Sequence, residues 1–300
     1  MLLGVTLGFA AATSNSAAYL FSRAFLQKHN NSYFHLLAVS HMIMGVLALI
    51  VTPFFWPETM PSFASYAPFM AGASLFYYGA QACLFLALRN IEASRLSPLL
   101  GSKIIMIALI SVIFLDKSFT GLQWVAIFLT FIAAMLLTGA GPRPPFKAVG
   151  FTMMTCLGYC LSDLSIIELL KPFESMGLVP SAIFTASLCY IICGIISIPL
   201  YFFLPKTPMV MFKDAIPFSL LWFTAMLCLF GCFGAIGVIF GNIIQSTRGI
   251  ISVVIAAFVA MAGLISLESK VSTFVLVKRI FAAVLMSTAI AIFHLQRNAN

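Results

Sequence analysis

Charge is what this chain has least of. Charged residues make up 8% of its 300 positions, against roughly a quarter in soluble domains. That excludes a water-soluble globule, which needs a charged skin. The mean hydropathy of +1.10 says that the solvent of most side chains is lipid. No basic cluster is long enough to track a phosphate backbone, so the net charge of +8 is loop charge and excludes a nucleic-acid partner. No P-loop pattern is present, which excludes ATP-driven chemistry of that kind. No CxxC occurs. No His–Asp or Ser–His arrangement recurs, and His29, His35, His41 and His294 read as isolated or near span ends, so nothing points to a general base.

What is present is long apolar runs. A helix needs about 20 apolar residues to cross the hydrocarbon core. Spans are predicted near 3–26, 33–54, 67–88, 94–114, 121–140, 148–171, 179–203, 217–242, 249–267 and 271–293. Polar, charged or Pro-rich breaks separate them, among them Gln27–Asn31, Arg89–Glu92, Asp116–Ser118, Gly141–Pro145 and Glu268–Lys270. The runs are continuous and do not alternate, which predicts helices and not barrel strands. Met1-Leu2-Leu3 opens the first run without a basic n-region or a cleavage site, so it reads as a transmembrane helix and not a signal peptide. No soluble domain fits between the spans, so function must lie inside the bundle.

Gly141–Pro145 falls near the midpoint, with five spans on each side. Asp116 closes the fourth span and Glu268 the ninth. At the same offset Ala108 falls on Ala260, Ile113 on Ile265, Leu115 on Leu267 and Val125 on Val277, while Gly4 of span one corresponds to Gly150 of span six. A duplicated unit with an odd number of spans inserts the second time upside down. The expected fold is therefore an all-α membrane protein of ten transmembrane helices in two inverted five-helix repeats, residues 1–141 and 148–297. Such repeats place a transport site at their interface near the midplane.

The stretch from Ala87 through Arg89-Asn90-Ile91-Glu92 to Ser97-Pro98-Leu99 opens a small-residue-rich helix after a short loop. It is followed by Ile113-Phe114-Leu115-Asp116-Lys117-Ser118-Phe119-Thr120-Gly121-Leu122-Gln123-Trp124. This resembles the EamA module of the drug/metabolite transporter superfamily, where an acidic residue ends the fourth helix and a Thr and Gln open the fifth. A looser version runs from Arg248-Gly249 to Leu267-Glu268. Where the family often has Trp-Gly in span one, this chain has Thr13-Ser14-Asn15. The resemblance implies a transporter of small metabolites, spans five and ten at the periphery, the remaining spans except two and seven around a cavity, and both termini in the cytoplasm.

Lys and Arg concentrate in cytoplasmic loops. Arg23, Lys28, Arg89, Arg95, Arg143, Lys147, Lys206, Lys213 and Lys270 fall on one side, with Lys278 and Arg279 just inside span ten, and Lys117, Lys171, Arg248 and Arg297 fall on the other. This bias places both termini outside, opposite to what the resemblance implies.

An ionisable group in lipid costs about 2.5–3.5 kcal/mol on insertion scales, so each needs a partner or a watery cavity. Asp163 lies deep in span six and Lys103 near the middle of span four. They read either as a cavity pair, with substrate bridging an amine to Asp163 and an acid to Lys103, or as a structural ion pair. Asn15, Tyr19 and Arg23 form a stripe at helical spacing in span one, and Tyr159 and Asp163 a similar one in span six. The stripes line a cavity or hydrogen-bond between helices. Gln81, Asn242 and Gln245 are further candidates. The candidate substrate-binding set is Asn15, Tyr19, Gln81, Lys103, Tyr159, Asp163 and Asn242. Arg248 and Arg95, at span starts, read as interface anchors. Adjacent Lys278 and Arg279 cannot both face one cavity, so at least one must snorkel.

Cys156/Cys160, Cys189/Cys193 and Cys228/Cys232 are i, i+4 pairs. Thiolates so placed could pass a soft metal, but small residues four apart also let helices approach, as Gly4/Gly8 and Gly237/Gly241 would. Disulfides within these pairs are not expected, because i, i+4 thiols buried in a helix do not usually reach bridge geometry.

The expected function is secondary transport of a small polar or zwitterionic, amino-acid-like metabolite by alternating access, in a bacterial inner membrane. The competing reading is an intramembrane enzyme acting on a lipid or lipid-linked substrate. The implied partners are a small-molecule substrate, a coupling proton or ion and the bilayer. No cofactor or metal is expected, and the chain works as a monomer or homodimer.

Overall fold

The computed structural model describes residues 1–88, 100, 102–114, 116–136, 145–205, 207–248, 250–252, 254–255 and 273–298. Among them there is helix and no strand. The helices are α1 (Leu2–Lys28), α2 (Tyr33–Val51), α3 (Phe63–Leu88), α4 (Lys103–Phe114), α5 (Gly121–Leu136), α6 (Phe146–Leu170), α7 (Leu178–Phe203), α8 (Met209–Ile236), α9 (Val238–Gln245) and α10 (Thr273–Asn298). Short 3₁₀ turns continue α2 over Thr52–Phe55 and α6 over Lys171–Met176.

Five of these segments are long and apolar enough to cross a membrane: Tyr33–Phe55, Phe63–Ala87, Phe146–Met176, Leu178–Phe203 and Met209–Ile236. Helix α1 is as long, but Thr13, Ser14, Asn15 and Ser16 dilute its hydropathy. Outward faces carry bare hydrocarbon: Leu49, Ile50, Ile195 and Phe202 are exposed, as lipid contact requires.

The eighth span departs from the sequence expectation. It is not one helix over 217–242, because α8 ends at Ile236 and Gly237 turns with φ +81° before α9 begins. That left-handed conformation suits glycine, which has no Cβ to clash. Gly237 is thus a helix break and not a packing notch, while Gly241 receives the ring of Phe233. Most of the ninth span, the Arg89–Leu99 segment, Leu115, Gly141–Pro144, Lys206, Gly249 and Leu267–Lys270 lie outside the described residues, as do the side chains of Lys278, Arg279 and Arg297.

The Thr-Gln signature before α5 has a local cause. The backbone N–H of Thr120 donates to Gln123 Oε1 at 2.9 Å, and that of Gln123 donates to Thr120 Oγ1 at 3.3 Å. This reciprocal capping box satisfies two donors that the helix start would leave bare. Asp116, just before it, takes a positive φ of 49°.

Packing pairs the helices in a regular way. The broadest interfaces join α1 to α8, α3 to α6, α2 to α7, and α5 to α10. Under the correspondence between halves expected from the sequence, the α1/α8 pair exchanges into α6/α3 and the other two pairs map onto themselves. Small residues make these approaches possible. A Cβ on Gly8 of α1 would lie 3.0 Å from Cys232 Sγ of α8, and one on Gly158 of α6 would lie 2.9 Å from Ala80 of α3. Gly45 of α2 and Gly194 of α7 cross almost backbone to backbone.

Candidate substrate cavity

A cavity of about 120 Å³ opens among these helices. One water needs roughly 10–15 Å³ on the same measure, so there is room for a small solute. Helices α1, α3, α4, α6, α7, α8 and α9 contribute walls, and α10 contributes Met286. Neither α2 nor α5 reaches it. The wall from α7, through Cys189, Tyr190 and Cys193, corrects the expectation that span seven stands apart.

The charged centre comes from α4 and α6. Lys103 Nζ lies 2.7 Å from Asp163 Oδ2. Asn242 of α9 donates its amide N–H to the same oxygen at 2.8 Å, and to the carbonyl of Val238 at 2.9 Å. Asp163 is held in place by its neighbour: Ser162 Oγ donates to the Ala73 carbonyl of α3 at 2.8 Å. The Lys103 ammonium also sits 5.3 Å from the centroid of the Tyr159 ring, where the ring's negative face attracts a cation. The two charges therefore touch directly, and no bridging molecule is needed to join them.

An aromatic wall faces this centre. The indole N–H of Trp222 donates to the Tyr77 hydroxyl at 2.6 Å and lies 3.2 Å from that of Tyr190. Gln81 donates to the same Tyr77 oxygen at 3.1 Å. His41 closes the network. Its Nδ1 donates to the Leu37 carbonyl at 2.8 Å, which leaves Nε2 to accept from the Tyr77 hydroxyl at 3.2 Å. This assignment of protons uses both lone pairs and the one proton of Tyr77. His41 is buried within α2. The reading of it as isolated or terminal is corrected: Tyr77 of α3 meets its Nε2 and the Tyr190 ring of α7 stacks on it.

Other polar atoms have no such partners. Asn15 Oδ1, Tyr159 Oη, and both Gln245 Oε1 and Nε2 are buried without a hydrogen bond among the described residues. All three residues line the cavity. Buried polar groups are normally bonded, so these four atoms leave unused hydrogen-bonding capacity on residues that line the cavity.

Of the sequence candidates, Asn15, Lys103, Tyr159, Asp163 and Asn242 line the cavity together. Tyr19 does not; it packs edge-on against Trp222 with ring centroids 5.7 Å apart. Gln81 stands behind the wall and acts through Tyr77. Arg23 is exposed, so the span-one stripe does not continue into the cavity. Arg248 is the main revision. It lines the cavity and is not an interface anchor. Tyr77, Tyr190 and Trp222 were not singled out in the sequence; only the i, i+4 spacing of Tyr77 and Gln81 hinted at them.

The cysteines behave as packing residues. Cys232 meets Gly8, and Cys160 Sγ donates to the Lys103 carbonyl at 3.5 Å. Among the described residues, no three His, Cys, Asp or Glu side chains gather as metal ligands.

Residues 2–139 match the model of the EamA-like transporter family. No curated protein matches the chain. A solved structure described as "Crystal structure of protein" shares the fold, with TM-score 0.64, over 98% of this chain and 96% of its own, at 14% identity. The protein is an integral membrane protein whose residues 2–139 are similar to the EamA-like transporter family.

Proposed function

We propose that the protein is a secondary transporter that moves a small polar or zwitterionic, amino-acid-like metabolite by alternating access. The observation that carries this is the cavity itself. It combines a buried ion pair with four unpartnered polar atoms at the meeting of both halves of the chain. Intramembrane charge is costly and is characteristically kept where a polar solute passes.

The architecture we propose is two inverted five-helix repeats, residues 1–141 and 148–297. The exchange symmetry of the packing pairs supports it. So does the reciprocal contact at the α2/α7 crossing, where Gly45 meets Gly194 and the Tyr190 carbonyl while Gly194 meets Gly45 and the His41 carbonyl. Rocking of one half against the other around the cavity would expose it to each side in turn. A bacterial inner membrane is the setting we infer.

The test is exchange in liposomes. Compounds that raise the melting temperature of the purified protein should exchange across the bilayer when present on both sides. A stabilising ligand that enters the cavity yet is never exchanged would sink the transport reading and favour a receptor or enzyme.

A further inference from the structure

Charge balance within the cavity narrows the substrate class, resting on the transport reading above. Lys103 and Asp163 neutralise each other at 2.7 Å. Arg248 also lines the cavity, and no acidic side chain pairs with it among the described residues. The described walls therefore carry one uncompensated positive charge. Arg248 is half-buried, and an unpaired cation lining a cavity inside the membrane is costly until an anion enters.

The structure fixes Arg248 where such an anion would meet it. Its carbonyl accepts hydrogen bonds from Ser16 Oγ of α1 at 2.9 Å and from Ser252 Oγ at 2.7 Å. The Ser16 bond ties the Arg248 backbone to α1, and the Ser252 bond holds the same carbonyl locally. Gln245 lies three residues before it, with its amide N–H unpartnered, and the Tyr159 hydroxyl is likewise unbonded. Guanidinium, amide N–H and hydroxyl are all donors, as an oxyanion requires, and guanidinium matches the fork of carboxylate or phosphate oxygens. The open acceptors, Asn15 Oδ1 and Gln245 Oε1, suit a hydroxyl or amide elsewhere on the same molecule. Among the described residues that line the cavity, the one carboxylate is Asp163, and its Oδ2 already holds Lys103 and Asn242.

We infer that Arg248 takes an oxyanion group of the substrate, a carboxylate or a phosphate ester, and that this group, rather than an amine, is what the site requires.

The test uses the intact purified protein with Trp56→Phe and Trp124→Phe, so that Trp222 in the cavity wall is the only indole reporter. Four probes share one 3-methylbutyl chain and differ in the groups it carries: leucine, 4-methylpentanoate, leucinamide and isopentyl phosphate. Either oxyanion without an amine should quench Trp222, and the tighter of the two identifies the group. Leucinamide should bind roughly ten- to a hundredfold more weakly, the loss expected for one charge-assisted hydrogen-bonded contact. Arg248→Gln should erase that preference and Arg248→Lys should keep part of it. Leucinamide binding as tightly as the oxyanions in the Arg248 protein would overturn the inference with no variant needed. So would a preference that survives Arg248→Gln, or leucine binding far more tightly than 4-methylpentanoate. If the protein exchanges leucinamide in liposomes but ignores the oxyanions, the Arg248 assignment falls and transport stands. If none of the four binds, the Arg248 assignment falls, while the transport reading is decided separately by exchange of the compounds that stabilise the protein.

Discussion

Lys103 Nζ and Asp163 Oδ2 are 2.7 Å apart in the wall of the cavity. Both side chains are largely buried, Asp163 more so, with 7% of its side chain exposed against 18% for Lys103. Removing one partner strands the other charge, whereas removing both does not. Asp163→Asn and Lys103→Met should therefore each lower the melting temperature, by the equivalent of about 3–5 kcal/mol at most. The double variant should recover much of that loss. Flux should remain lost in all three, because the polar centre of the cavity is gone. A double variant that is stable and transports at the normal rate would reduce the pair to a structural role.

The Tyr77 hydroxyl makes a second prediction. It joins Trp222, Gln81 and His41. Tyr77→Phe would leave the Gln81 amide N–H and His41 Nε2 without it, while Trp222 keeps Tyr190 at 3.2 Å. Each stranded group costs about 1–3 kcal/mol. The melting temperature should fall and the Trp222 emission should shift as its strongest hydrogen bond disappears. Unchanged emission in a protein carrying only that indole would show that the network does not persist in the membrane protein as purified.

The crossing of α2 and α7 gives a third. A Cβ added to Gly45 would lie 3.0 Å from Gly194 Cα and 3.3 Å from the Tyr190 carbonyl. Both obstacles are backbone, so neither can rotate away. Gly45→Ala and Gly194→Ala should each destabilise by about 1–3 kcal/mol, the usual cost of overpacking. Gly79→Ala is the control, since nothing lies within 4 Å of a Cβ there. Equal melting temperatures for Gly45→Ala and Gly79→Ala would mean that the helices are farther apart than described.

What the sequence made legible follows from physics that acts along the chain. Apolar run length placed the spans, and the cost of charge in lipid singled out Asp163 and Lys103. Helical spacing added Asn15 and Tyr159. What it could not show depends on contacts between distant segments. His41 looked solitary because its partner Tyr77 is on another helix. Arg248 looked like an anchor because it starts a span, and only the fold reveals that the helix break after Gln245 brings it to the cavity. Gly237 looked like a packing residue because spacing alone does not reveal a positive φ.

That reassignment of Arg248 bears on orientation. Loop cations obey the positive-inside bias, but a cation lining an internal cavity is not a loop charge. Removing Arg248 from the minority side leaves Lys117, Lys171 and Arg297 there, which sharpens the bias towards both termini outside. The family resemblance implies the reverse. Lys117 and Lys213 are both exposed and belong to opposite sides. Single cysteines at these positions, in a background lacking the other thiols, can be challenged with an impermeant maleimide on intact cells. The charge distribution predicts labelling at position 117 and protection at 213. Protection at 117 with labelling at 213 would place both termini in the cytoplasm. It would also show that the cationic loops face outward here, against the rule that most short loops follow.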